Sequence, residues 1–131
     1  MDETALTKIP GPTVMPSFKQ SVSFAVNGIK IALKERHVRV HVLCALLVCV
    51  AGFCFGISQA EWLACLILFA LVIGLEIMNT AIERLVDMIS PEWNEKAGRV
   101  KDLSAGAVLC VSIFAVIAGI LIFGKYILAL F

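Results

Sequence analysis

Glu76, Asn79, Glu83 and Asp87 are the residues whose types and spacing allow chemistry in this chain. They lie in the stretch Glu76-Ile77-Met78-Asn79-Thr80-Ala81-Ile82-Glu83-Arg84-Leu85-Val86-Asp87, directly after the uncharged apolar run Trp62–Leu75. At about 100° per residue the four fall within a helical stripe roughly 80° wide, so three carboxylates and one amide point the same way. Carboxylates are hard oxygen donors suited to Mg²⁺, which takes one or two of them and completes its shell with phosphate oxygens and water. Glu76 lies a turn or more deeper in apolar sequence than the others, a position that suits a general base. Ionisable groups at such depth are costly and are usually there for function. Glu35, the sole acid between Glu3 and Glu61, is a further oxygen donor or a local ion-pair partner for Lys34, Arg36 or Arg39. Lys101 is a compact cation suited to phosphate oxygens. The chain has no G-x-x-x-x-G-K-[ST] loop and is not a P-loop enzyme. No Ser/His/Asp or Cys/His constellation stands out. The stripe allows Mg-dependent phosphoryl transfer at a membrane boundary, and equally a proton or cation path. The small residues near the C-terminus leave a non-catalytic membrane scaffold as a third reading.

The elements that must position these residues read as an all-α membrane protein. The 131 residues fit one domain, 60% of them are hydrophobic, and the mean hydropathy is +0.96. A net charge of +1 gives no argument for nucleic acid. Residues 1–16, with Pro10, Gly11, Pro12 and Pro16, are expected to be a disordered tail, without a cleavable signal peptide. Residues 17–131 form the membrane-embedded domain. Ser17–Lys34 reads as an amphipathic surface helix capped by Ser17. Phe18, Val22, Ala25, Val26, Ile29 and Leu33 lie on one face, with Lys19, Lys30 and Lys34 opposite. Val38–Ile57 is a first span, entered by Arg39 and His41. His37 and His41 have metal-capable i, i+4 spacing, but a pair without further ligands reads as interfacial packing. A turn over 56–60 leads to a helix over about Glu61–Ile89. That helix exceeds a ~30 Å bilayer core, so its Glu76–Asp87 half protrudes. Ser90–Val100 reads as a polar hairpin, and a third span starts near Lys101-Asp102. Gly106, Ala107, Ala115, Ala118 and Gly119 permit close helix contact, and Lys125 and Tyr126 form an interfacial anchor. Five cysteines, Cys44, Cys49, Cys54, Cys65 and Cys110, sit in apolar runs and read as packing residues. Lys19, Lys30, Lys34, Arg36 and Arg39 precede the first span, and Arg84, Lys96, Arg99 and Lys101 lie between the second and third. The positive-inside rule therefore puts the N-terminus and the polar hairpin in the cytoplasm and the C-terminus outside.

The segments E-I-M-N-T-A-I-E-R-L-V-D and G-R-V-K-D-L-S-A-G-A-V-L together resemble the signature of the small bacterial integral-membrane lipid kinases, the prokaryotic diacylglycerol kinase and undecaprenol kinase family. The upstream S-F-A-V-N-G-I-K and E-R-H-V-R-V-H segments are similar to that family's surface helix and first-span entry. The resemblance covers nearly everything after the proline-rich tail. It implies a homotrimeric bundle in the bacterial cytoplasmic (inner) membrane, each subunit having a surface helix and three transmembrane helices. It implies MgATP-dependent phosphorylation of a lipid hydroxyl, on diacylglycerol or undecaprenol. By motif position, Glu76 resembles the general base, and Glu83 and Glu35 the metal-binding carboxylates. Asn79, Lys101 and Asp102 resemble residues of the nucleotide and phosphate site, and Asp87 a site-shaping acid. Two departures bear on Glu35 more than on Glu76 or Glu83: His37 stands where many relatives have Asn, and the Gly28–Glu35 stretch is one residue shorter. The N-T-A-I-E and A-G-A-V-L segments look closer to the undecaprenol kinase branch. Both lipids present a primary hydroxyl, so both stay open.

Overall fold

Local sequence sets each helix end. In a computed structural model, which describes residues 15–131, α1 (Phe18–Ala32) starts at a capping box: the Ser17 hydroxyl accepts from the Gln20 amide and the Gln20 side chain accepts from the Ser17 amide. The tail expected over residues 1–16 lies, apart from its last two residues, outside the described residues. α2 (Arg36–Phe55) ends at Gly56, whose φ of 65° is left-handed and suits glycine. The amides of Gly56 and Ile57 both reach the Gly52 carbonyl and close the helix. α3 (Gln59–Ile89) starts at a second capping box, between Ser58 and Glu61. α4 (Glu95–Leu128) is capped by Asn94, whose side-chain oxygen accepts from the amides of Lys96 and Ala97.

This last cap corrects the expected hairpin over Ser90–Val100. The non-helical link ends at Asn94, and Lys96, Arg99 and Lys101 stand on the first turns of α4. With no proline after Pro91, nothing stops the helix from extending back to the first good cap.

α2, α3 and α4 are each long and apolar enough to cross a membrane, and among the described residues there is no strand. At 1.5 Å per residue, the 31 residues of α3 reach roughly 46 Å, well beyond a ~30 Å hydrocarbon core. α3 and α4 run antiparallel along their whole length: Glu61 meets Lys125, Asn79 meets Ser104, and Asp87 meets Lys101. The chain buries little of its own apolar surface. The small core of Ile57, Cys65 and Ile122 lies at the turn between α2 and α3, packed by Trp62, Phe69 and Phe123. Leu46, Leu47, Leu66, Ile67, Phe114, Ile120 and many others face outward. Such side chains suit lipid tails or other transmembrane helices as neighbours. α1 touches the rest of the chain mainly at α3, and its apolar face, with Phe18, Val22, Val26 and Ile29, is exposed as a surface helix requires.

Candidate functional site

The stripe on α3 descends from protein to water. Glu76 and Asn79 are buried at 5% and 8% exposure, Glu83 is half-buried and Asp87 is exposed. Each acquires a partner from another element or the next turn. Glu76 Oε2 lies 3.8 Å from His41 Nε2 on α2. The Asn79 amide uses both ends: Nδ2 donates to Glu83 Oε1 at 3.2 Å, and Oδ1 accepts from Ser104 Oγ on α4 at 2.6 Å. This fixes which way the amide points and aims it at the carboxylate one turn outward. Asp87 pairs with Lys101 at 2.5 Å. Glu35, at the start of α2, pairs with Arg84 on α3.

The structure thus brings Glu35, Glu76, Asn79, Glu83, Asp87 and Lys101 to one end of the α2–α3–α4 bundle. Asp102 is different: it is exposed beside Arg99, Leu103 and Gly106 around a shallow depression on α4. Three participants carry no obvious mark in the sequence. Arg84 and Ser104 sit among residues of ordinary type, and His41 reads as an interfacial residue. Only helix pairing reveals them.

On the membrane side of Glu76 an apolar cavity of about 380 Å³ runs between α2, α3 and α4. His41 and Cys44 line it near the polar stripe, Val72 and Ile73 line its α3 wall, and Ile122 and Phe123 lie at the far end. At the opposite membrane boundary Glu61 accepts from Tyr126 Oη at 2.9 Å and pairs with Lys125 at 2.6 Å, tying the start of α3 to the end of α4. The residues expected as an interfacial anchor therefore also join two helices.

Residues 23–123 match the sequence pattern of the prokaryotic diacylglycerol kinase family. The chain belongs to that family. It is 36% identical over 107 residues to an undecaprenol kinase of Bacillus subtilis, a match covering 81% of this chain and 87% of that protein. It is 33% identical over 91 residues to a diacylglycerol kinase of Sinorhizobium sp, covering 70% of this chain and 66% of the relative. A diacylglycerol kinase of Haemophilus influenzae is 33% identical over 107 residues, 79% of this chain and 90% of its own length. The family and the three apolar helices make this a multi-pass membrane protein.

The donor set of this diacylglycerol kinase family member is compatible with Mg²⁺ held through one or two carboxylates. Among the described residues no three His, Cys, Asp or Glu side chains converge as a metal cage, and the His37/His41 pair gains no third ligand. Among the described residues Glu83 is held only by a neutral amide hydrogen and keeps acceptor capacity. Glu35 faces a cationic partner, Arg84, that a metal ion could replace in kind. One or two carboxylates at the water end of the stripe are what Mg²⁺ requires when phosphates and waters supply the rest.

Proposed function

We propose that this lipid kinase transfers the γ-phosphoryl group of MgATP to the primary hydroxyl of a long-chain membrane lipid, diacylglycerol or undecaprenol, with Glu76 as general base. The observation that carries the reading is the place of Glu76. It is a buried carboxylate where an apolar cavity of lipid-chain dimensions gives way to a stripe of metal- and phosphate-suited groups. A lipid chain in the cavity would leave its hydroxyl beside Glu76. The hydroxyl oxygen then bonds to the γ-phosphorus, the bond from that phosphorus to the β–γ bridging oxygen breaks, ADP leaves, and the hydroxyl proton passes to Glu76. Glu83 and Glu35 would hold Mg²⁺, which when bound neutralises charge on the phosphate oxygens. Lys101 would turn from Asp87 to phosphate, and Asn79 keeps the Glu83 carboxylate oriented. Asp87 shapes the entrance, and Asp102 would meet the nucleotide from the outer face of α4. The basic residues of α1 and of the starts of α2 and α4 support a cytoplasmic position for this end, where ATP is found. A conduction path would need no phosphate-suited lysine at its mouth, and family membership lends it no support.

The test uses labelled ATP and the purified protein in mixed micelles, with diacylglycerol and undecaprenol supplied separately. Transfer of label to one or both is expected, and transfer to neither would reject the proposal. Glu76→Gln is expected to lower kcat by about 10²- to 10⁴-fold with nucleotide affinity nearly unchanged. Glu83→Gln is expected to weaken Mg-dependent ATP binding as well. Equal loss of binding in both variants would overturn the division of roles.

A further inference from the structure

We propose that His41 is a positioning residue for Glu76, holding one carboxylate oxygen so that the other faces the lipid hydroxyl; the inference rests on the kinase reading above. Glu76 is a carboxylate at 5% exposure, and a buried carboxylate without a partner is strongly disfavoured. The other donors of the site are committed elsewhere. The Asn79 amide hydrogen goes to Glu83, Ser104 donates to Asn79, Lys101 is on Asp87 and Arg84 is on Glu35. The hydroxyl of Thr80 donates to the backbone carbonyl of Glu76 and leaves its side chain untouched. Among the described residues His41 is therefore the one side chain whose nitrogen approaches the Glu76 carboxylate, Nε2 lying toward Oε2.

The separation of 3.8 Å is longer than a hydrogen bond. Catalytic contacts of this kind are commonly long without substrate and tighten in the reacting complex. His41 also lines the apolar cavity, so a lipid filling that cavity would touch the imidazole. Seating the chain would press the ring toward Glu76, and Oε1 would be left as the free acceptor for the substrate proton. The proton of the hydroxyl still goes to Glu76; His41 donates a hydrogen bond and transfers nothing.

Two variants separate this role from its rivals. His41→Gln retains an N–H donor near the position of Nε2, and His41→Leu keeps bulk without a donor. His41→Leu is expected to lower kcat about 100-fold, the scale of a misaligned reacting group, with the KM for ATP unchanged. His41→Gln is expected to return most of that loss. Full activity in His41→Leu would overturn the proposal. Equal loss in both variants would also overturn it, because the imidazole itself, as a proton carrier, would then be what matters. A wild-type protein that phosphorylates neither lipid would sink the kinase reading and this inference with it. Wild-type activity shared by His41→Leu would sink the inference alone.

Discussion

On the proposed reading, Arg84 and Asp87 hold the places that ligands would take. Arg84 pairs with Glu35 where a metal ion would bind, and Asp87 pairs with Lys101 where a phosphate would. Binding of MgATP there would exchange both pairs. The Glu35–Arg84 pair is substantially exposed, at 37% and 53%, so it contributes at most about 1 kcal/mol and is screened by salt. Arg84→Met is therefore expected to tighten MgATP binding by a factor of up to about 5, read by calorimetry with a non-hydrolysable analogue. Weaker binding would mean that Arg84 itself contacts the phosphates. The stripe itself was legible in sequence because its spacing is local: one helical period aligns Glu76, Asn79, Glu83 and Asp87. Their partners were not. Glu35 and Arg84 stand 49 positions apart and Ser104 and Asn79 25 apart, and no periodicity within one helix relates them.

Helix ends are the next level at which sequence speaks plainly. Ser17 was readable as a cap, while Asn94 was hidden in a charged stretch that reads equally as loop. Asn94→Ala removes the one acceptor shared by two amides and is expected to destabilise the protein by about 1 kcal/mol, measured by thermal unfolding in detergent. The α2–α3 turn depends on something no sequence pattern announces. A Cβ on Gly52 would fall 2.8 Å from the Trp62 ring, which is itself packed on Phe53 at a centroid distance of 4.9 Å. The rigid indole must shift as a whole to make room, and Ile57 Cδ1 would stand at 3.1 Å, so Gly52→Ala is expected to cost about 1–3 kcal/mol in the same measurement. Gly56, by contrast, is needed for its backbone, and its place at the end of an apolar run marks a helix stop in sequence. The three spans were legible for the opposite reason: long uncharged runs need no partner to be recognised.

At the scale of the whole molecule, the question is which chains complete one site. Lys101 is held at the level of Asp87, roughly 16 Å along α3 from Glu76 at 1.5 Å per residue. In a trimer whose axis is normal to the membrane, rotation leaves depth unchanged, so a neighbour's Lys101 lies at that same level. On the proposed reading, whichever subunit supplies the lysine, ATP would lie lengthwise along the helices, its γ-phosphate inward at Glu76 and the rest toward water. Symmetry decides only the lateral match. The outward-facing apolar residues, together with the exposed small residues Gly106 and Ala107 of α4, favour close packing of a second chain, whereas Ala115 and Gly119 line the cavity within this chain. A shared site is therefore expected, and mixing two inactive variants tests it. Glu76→Gln subunits co-assembled with an equal amount of Lys101→Ala subunits would form mostly mixed trimers. Going round such a ring in one sense, a subunit with Glu76 is followed once by a subunit with Lys101. Each mixed trimer then holds one intact site, and the preparation recovers about a quarter of wild-type activity. If both residues of a site come from one chain, every site keeps a lesion and mixing restores nothing. Absence of recovery, with co-assembly shown by cross-linking, would assign Glu76 and Lys101 to the same subunit.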